Sequence, residues 1–257
     1  MPIPKRAYRH VPELEGRIRE PEESVFRDMI ERYAELDANA EAEGRHGWRL
    51  SHEDREATRH EALAGHEGDL WIFAYGSLTW DPAMVVEEIR HARLEGWRRT
   101  FCYWLDGGRG SPDRPGLMAA LDADPGHACD GLAMRIRAEL VEEETHRLWA
   151  REMITGIYRP LWAPLATPQG PVEALAFVAD PEHERHVGAM PREEKARMIA
   201  GAEGMLGTNL EYLENLLGQL EALGMHDPEM TELHEMCLKV RDAEAPPLTR
   251  ERGAETF

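Results

Sequence analysis

Asp69-Leu70-Trp71-Ile72-Phe73-Ala74-Tyr75-Gly76-Ser77-Leu78 is the stretch that orients the rest of the chain. Leu70 to Tyr75 is a short apolar run ended by Gly76, which reads as a buried strand entering a tight turn. Glycine there permits a positive φ and lets a ligand approach the backbone closely. Successive amide groups in such a turn can form a nest for a carboxylate, and Ser77 adds a hydroxyl. A plain strand-to-turn junction carries the same letters, so these residues alone leave both readings open.

Moving outward, Trp97 to Leu105 is a second strand candidate, with Trp97, Phe101, Tyr103 and Leu105 on alternate positions. Asp106 to Gly116 holds four Gly and two Pro and reads as a loop. Leu117 to Leu121 and Gly131 to Arg137 read as further strands, the latter with Leu132, Met134 and Ile136 on one face. A helix is expected from about Glu142 to Ile154, its three leading glutamates suiting the positive end of the helix dipole. Strands near Tyr158 to Leu165 and Val172 to Val178 come next. The last third is helical: Thr208 and Glu211 form a T-x-x-E capping box ahead of Leu213, Leu216, Leu217 and Leu220. Met230, Leu233, Cys237 and Val240 mark a final helix. Strands dominate the middle and helices the end without regular alternation, which predicts an α+β domain.

Residues 1–68 differ, being rich in Glu, Arg, His and Ala. A helix after Ser24 is predicted from Val25, Phe26, Met29, Ile30, Tyr33 and Leu36. The expected organisation is a charged helical extension at 1–68, a main domain at 69–241 and a frayed tail at 242–257 with Pro246-Pro247.

Composition narrows the function. Against 30 Lys and Arg stand 49 Asp and Glu, a net charge of -19 that argues against a nucleic-acid partner. Cys102, Cys129 and Cys237 are odd in number and widely spaced, so reduced, buried thiols are expected. No stretch has the length of a membrane span, and Met-Pro-Ile-Pro-Lys-Arg lacks a signal peptide's apolar run, which points to the cytoplasm. His52, His60 and His66 lie eight and six apart amid charges, unlike zinc ligands, and no metal or cofactor is expected. His234-Glu235 lacks the second histidine of H-E-x-x-H, Ser77 lacks a G-x-S-x-G frame, and no G-K-[ST] follows the glycine-rich loop.

Glu152 is the most informative carboxylate. On the predicted helix it shares a face with Leu148 and Trp149. Burial on an apolar stripe disfavours the charged form and raises the pKa toward that of a useful general acid or base. A glutamate paired with Arg99 or Arg159, or one reaching solvent, fits the spacing as well.

The run Trp71-Ile72-Phe73-Ala74-Tyr75-Gly76-Ser77-Leu78-Thr79-Trp80 resembles the opening motif of the ChaC-like γ-glutamylcyclotransferases. Gly96-Trp97-Arg98-Arg99-Thr100-Phe101-Cys102, Gly108-Arg109-Gly110-Ser111-Pro112 and Pro115-Gly116-Leu117 resemble the next segments of that family. Arg151-Glu152-Met153-Ile154-Thr155-Gly156-Ile157-Tyr158 resembles the catalytic segment, and Gly207-Thr208-Asn209-Leu210-Glu211-Tyr212-Leu213 the C-terminal signature. The matches fall in the family's order over roughly 69–240. Ala74 departs from the glycine that many members carry, adding a methyl beside the turn.

The resemblance implies a mixed β-barrel core flanked by helices, and a cofactor-free lyase that cleaves glutathione to 5-oxoproline and cysteinylglycine. It implies Glu152 as acid/base and a substrate grip from Ala74, Tyr75, Gly76, Ser77 and Leu78. Arg99 and Tyr158 take secondary roles, as a charge partner and a polar wall, or else serve as a strand salt bridge and a core tyrosine. Two other functions remain open on sequence: cyclisation of a different γ-glutamyl amine or dipeptide, and non-catalytic binding of a γ-glutamyl group. The small-molecule substrate is the only partner the sequence points to.

Overall fold

The computed structural model describes residues 1–244, and most of the tail expected at 242–257 lies outside the described residues. The sheet contains β1 (Leu70–Ala74), β2 (Glu88–Leu105), β3 (Gly116–Ile136), β4 (Tyr158–Leu165) and β5 (Val172–Ala179). β2 and β3 form one long antiparallel hairpin, from Glu88↔Arg135 to Leu105↔Gly116. The two strands read separately at Leu117–Leu121 and Gly131–Arg137 are parts of β3; in the polar, largely exposed stretch between them, 122–123 and 128–130 pair with β2 while 124–127 bulge out unpaired. A register shift falls between Glu95 and Trp97. Gly96 occupies it with φ +83°, a left-handed conformation that glycine adopts without steric cost.

β1 lies antiparallel on β3, from Leu70↔Ile136 to Ala74↔Leu132, and meets β5 in parallel at Ile72↔Leu175. β4 pairs antiparallel with β5, so the sheet order is β2-β3-β1-β5-β4. The architecture is therefore α+β with a mixed central sheet. A closed barrel is not seen among the described residues. The outer strands approach only where Arg93 and Ala166 exchange backbone bonds of 2.9 and 3.0 Å, a bridge in place of a ladder.

Among the described residues six α-helices surround the sheet: α1 (Tyr33–Ala42), α2 (His52–Ala62), α3 (Val141–Glu152), α4 (Arg192–Gly201), α5 (Asn209–Ala222) and α6 (Pro228–Glu244). α5 begins with the expected capping box: Thr208 Oγ1 accepts from the Glu211 amide at 3.1 Å, and the Glu211 carboxylate accepts from the Thr208 amide at 2.9 Å. The strands β6 (Glu203–Gly204) and β7 (Gly207–Thr208) form a small hairpin before it. α4, α5 and α6 bury Ile199, Leu213, Leu216 and Met230 with Phe101 and Leu117 of the hairpin. On the other side, α3 buries Leu148 and Trp149, the indole edge-on to Phe177 at 5.1 Å.

The helix predicted from Ser24 begins only at Tyr33. Residues 25–32 form successive turns, because Phe26 and Arg27 are drawn out of helical phase toward α3. Arg27 pairs with Glu144 and donates to the Ala83 carbonyl at 3.0 Å. Ile3, Tyr8, Val11, Leu14 and Ile18 enter the same apolar core as Leu70 and Ile72. α2 lies along α3, with Arg59 donating to Glu142 at 2.6 Å and Trp149 donating to Thr58 at 3.2 Å. The first 68 residues thus bear mainly on the helix that ends at Glu152.

Candidate active site

The candidate site forms where β1 and α3 both end. After β1 the chain passes through Tyr75 and Gly76 into a 3₁₀ turn at Ser77–Thr79, closed by the Thr79 amide on the Gly76 carbonyl at 2.9 Å. Gly76 has φ −123°, so the positive φ that glycine permits is not used here. A Cβ there would meet only the Tyr212 hydroxyl, at an ordinary 3.5 Å. Its missing side chain therefore relieves no clash, and the turn backbone there is buried. Ala74 and Leu78 are buried and hold the turn from the core side.

Arg99 grips that turn from behind. Its Nε donates to the Tyr75 carbonyl at 2.7 Å, Nη1 to Asp227 at 2.6 Å and Nη2 to the Asp130 carbonyl at 2.5 Å. Its side chain is buried, and its three nitrogens are committed to protein acceptors. Of the two roles considered for Arg99, the geometry matches the salt bridge, made with Asp227 and not with Glu152.

Glu152 closes α3 on the buried face with Leu148 and Trp149, its side chain 12% exposed. Its ion pair is with its own neighbour Arg151, Nε to Oε1 at 3.0 Å, and with neither Arg99 nor Arg159. Arg159 points to solvent, 4.0 Å from Asp180. The Arg151 guanidinium also donates through Nη2 to Ser77 Oγ at 2.8 Å and through Nη1 to the Asp81 carbonyl. One buried cation thereby ties the end of α3 to the turn after β1. The helix stops because Gly156 turns the chain at φ +73°, with the Leu50 side chain 3.2 Å from where a Cβ would sit. Two residues later Tyr158 opens β4.

Three buried tyrosines lie near enough to feel the Glu152 charge. Tyr75 donates to the Phe177 carbonyl at 2.6 Å, while Tyr158 reaches the Ala119 carbonyl only at 3.4 Å. Tyr212 stands against Phe101 at 5.6 Å and Trp80 at 5.9 Å. Burial raises the Glu152 carboxyl above the usual range, and the Arg151 charge opposes this in part. Burial also lifts the tyrosines: Tyr75 and Tyr158 go well above their ordinary value and Tyr212 to about 12, with the Glu152 charge adding to the rise in each. Glu152 is thus the group here suited to exchanging a proton, while the phenols stay protonated around neutral pH.

Sequence reasoning singled out Tyr75, Ser77, Glu152 and Tyr158, which the fold brings together, and overlooked Arg151 and Tyr212. Both lie inside the family-like motifs. Adjacent helix residues do not face one another, so nothing in the spacing pairs Arg151 with Glu152. Tyr212 comes from α5, and only tertiary packing brings it in.

Surface depressions of about 470 Å³, beside Trp97, Leu161 and Trp162, and about 310 Å³, beside Arg98, Arg192 and His226, are not lined by Glu152. His52 and His60 contact Arg55 and Arg59, while His66 stacks on Trp162 at 5.1 Å, so the three do not converge. Among the described residues no group of three or more His, Cys, Asp and Glu could hold a metal ion. Nor is any described helix long and apolar enough to cross a membrane.

A family model of ChaC-like proteins matches residues 70–240. The chain belongs to the ChaC-like family. It is similar to the glutathione-specific γ-glutamylcyclotransferase of Escherichia coli (strain K12), 43% identical over 168 residues, which span 65% of this chain and 72% of that protein. It is also similar to human glutathione-specific γ-glutamylcyclotransferase 1, 33% identical over 165 residues covering 62% and 74% of the two chains. In fold it resembles the crystal structure of the yeast γ-glutamyl cyclotransferase specific to glutathione, with a TM-score of 0.63 at 21% identity over 70% of this chain and all of that one. The ChaC-like span takes in the turn, Arg99, Arg151, Glu152, Tyr158 and Tyr212, whereas the whole N-terminal extension precedes it.

Proposed function

We propose that this ChaC-like chain is a γ-glutamylcyclotransferase that converts glutathione to 5-oxoproline and cysteinylglycine, with Glu152 as its acid/base. The observation that carries the proposal is the Glu152 carboxyl: largely buried, raised in pKa and tied through Arg151 to the turn at Ser77. Ala74, Tyr75, Gly76, Ser77 and Leu78 receive the γ-glutamyl group, chiefly through backbone amides. Tyr158, whose hydroxyl is the more loosely held, borders the γ-carbonyl.

The Glu152 carboxylate takes a proton from the substrate's α-ammonium group. The freed amine attacks the γ-carbonyl carbon, and its C–N bond closes a five-membered ring. Collapse of the tetrahedral intermediate breaks the bond to the cysteine nitrogen, which receives the proton back from Glu152 as it leaves. The ring nitrogen passes its second proton through Glu152 to the departing amine, leaving a neutral lactam and an ammonium group. No water is consumed and no electron pair is left over, so a dry pocket suits the reaction. Intramolecular attack supplies much of the rate advantage once the substrate is folded correctly, and turn amides stabilise charge developing on the carbonyl oxygen.

Incubation of the purified protein with glutathione tests this, following 5-oxoproline and cysteinylglycine by mass spectrometry beside γ-glutamyl dipeptides and a γ-glutamyl amine. Both products from glutathione, absent with Glu152→Gln, are expected. Turnover of another γ-glutamyl compound alone would change the substrate and keep the chemistry. No turnover of any of them would leave a binding protein.

Three lesser assignments go with this one. Residues 69–241 bear the activity, with 1–68 as an accessory extension. The sheet curls toward the family's barrel, a reading supported by the Arg93–Ala166 bridge. A cytoplasmic setting fits the free, buried thiols of Cys102, Cys129 and Cys237.

A further inference from the structure

The Arg151 guanidinium has a second set of neighbours, and they come from outside the ChaC-like span. The Phe26 ring covers the guanidinium, its centroid 4.2 Å from Cζ. Behind it, Arg19 donates its amide to the Trp80 carbonyl at 2.8 Å and its Nη1 to the Asp81 carboxylate at 2.8 Å. Asp81 is the residue whose carbonyl accepts from Arg151, and its side chain is buried. Phe26 is pinned on both sides: its amide donates to Ser24 Oγ at 3.1 Å, while Arg27 pairs with Glu144 of α3 and accepts from Arg147 at 2.9 Å.

We propose that Phe26 is a positioning residue for the reaction, acting through Arg151: the extension covers the cation that joins Glu152 to the Ser77 turn and keeps water from it. This rests on the cyclotransferase reading of the same site. An aromatic ring over a guanidinium fixes its plane and shields one face. Arg151 is bonded at each of its three nitrogens, so its plane sets both the Glu152 rotamer and the Ser77 hydroxyl. Removing the ring would admit water beside the ion pair and let the carboxyl wander from the turn. The groups facing Glu152 are Arg151 on α3, Tyr75 after β1, Tyr158 on β4 and Tyr212 on α5; those behind Arg151 are Asp81 and Arg19. Of these contacts, Phe26→Ala removes only the ring over Arg151.

The test compares Phe26→Ala, Phe26→Tyr and Arg59→Met, the last loosening the extension at α2 without touching Arg151. Phe26→Ala is expected to lower kcat about tenfold, as a small misplacement of a reacting group does, and to leave KM for glutathione within about twofold. With more water at the pair, the midpoint of its kcat–pH profile should move toward acid. Phe26→Tyr should restore both, and Arg59→Met should keep the wild-type midpoint. A readout free of turnover is the infrared stretch of the protonated carboxyl that Glu152→Gln abolishes, whose titration midpoint should move the same way in Phe26→Ala. If the wild type fails to process glutathione, the activity assignment falls, and the infrared titration still decides the role of Phe26. A wild-type midpoint in Phe26→Ala, or equal losses in Phe26→Ala and Arg59→Met without rescue by tyrosine, overturns the proposal.

Discussion

Replacing Glu152 by glutamine keeps the side-chain volume while removing the charge and the ability to carry a proton. Two opposing terms decide what this does to stability. The ion pair with Arg151 closes at 3.0 Å, where unit charges attract by about 5 kcal/mol at an effective dielectric near 20. Withdrawing a carboxylate from water costs several kcal/mol as well, and burial is the larger influence on this group, so its pKa stands above the unfolded value of 4.5. A raised carboxylate pKa means that the folded state holds the proton longer, and ionisation works against folding. That penalty is absent well below pH 4.5, grows as pH rises through that value, and is complete above the folded-state pKa. The Gln variant loses the penalty, and Arg151 keeps Ser77 and the Asp81 carbonyl. We therefore predict a Tm about 2–4 °C above wild type at pH 8, corresponding to about 1 kcal/mol in a chain of this size. The gap should shrink as pH falls to 5, while turnover drops about 10²- to 10⁴-fold. Calorimetric scans at several pH values, paired with 5-oxoproline release, measure both. An equal or lower Tm at pH 8, or a gap that widens toward acid, would refute the claim that burial outweighs the Arg151 pair.

Further predictions concern other parts of the site and the core. Arg99→Met removes the clamp on the Tyr75 carbonyl and strands Asp227; a loss of about 3–5 kcal/mol is expected, and a Tm within about 2 °C of wild type would contradict the clamp. Gly156→Ala forces alanine to φ +73° against Leu50; it should cost about 1–3 kcal/mol in urea unfolding, and an unmoved midpoint would argue against strain at that turn. Burial pushes the Cys102 and Cys237 thiols up to about 12 and Cys129 to about 11. Ellman's reagent at pH 8 should therefore react slowly with the native protein and fully after unfolding; one rapid native equivalent would show an accessible thiol.

Local signals made much of this fold legible. Leu70–Ala74 is a strand because an uncharged apolar run has to be buried on both faces, and Thr208 caps α5 because its hydroxyl and the Glu211 carboxylate satisfy orphan amides. The helix ending at Glu152 follows from its acidic first turn and its apolar stripe. The continuity of β3 was hidden because 122–128 is polar and largely exposed and carries Pro125 and Gly126, so hydrophobic alternation lapses, and pairing with β2 skips 124–127 before it resumes at Ala128. The turns at 25–32 overrode a fair helical pattern because Arg27 finds Glu144 some 117 residues away. In the site, the burial of Glu152 was readable from Leu148 and Trp149. Its partner was not, because adjacent helix residues do not normally face one another and Arg151 is held in place by Ser77 and Asp81 across the fold, while Tyr212 and Phe26 arrive from opposite ends of the sequence.

The position of β1 bears on how the chain is made. Its neighbours in the sheet are β3 and β5, and its parallel contact, Ile72↔Leu175, spans about a hundred residues. At roughly 5–20 residues per second of synthesis, the uncharged Leu70–Ala74 segment waits about 5–20 s beyond the ribosome before that partner exists. The apolar residues between Ile3 and Ile18, which share its core, emerge earlier and wait longer. Such a nascent chain offers chaperones a strand-forming apolar target well before the centre of its sheet can close, and this β1-centred topology makes the yield of folded protein sensitive to translation rate and crowding.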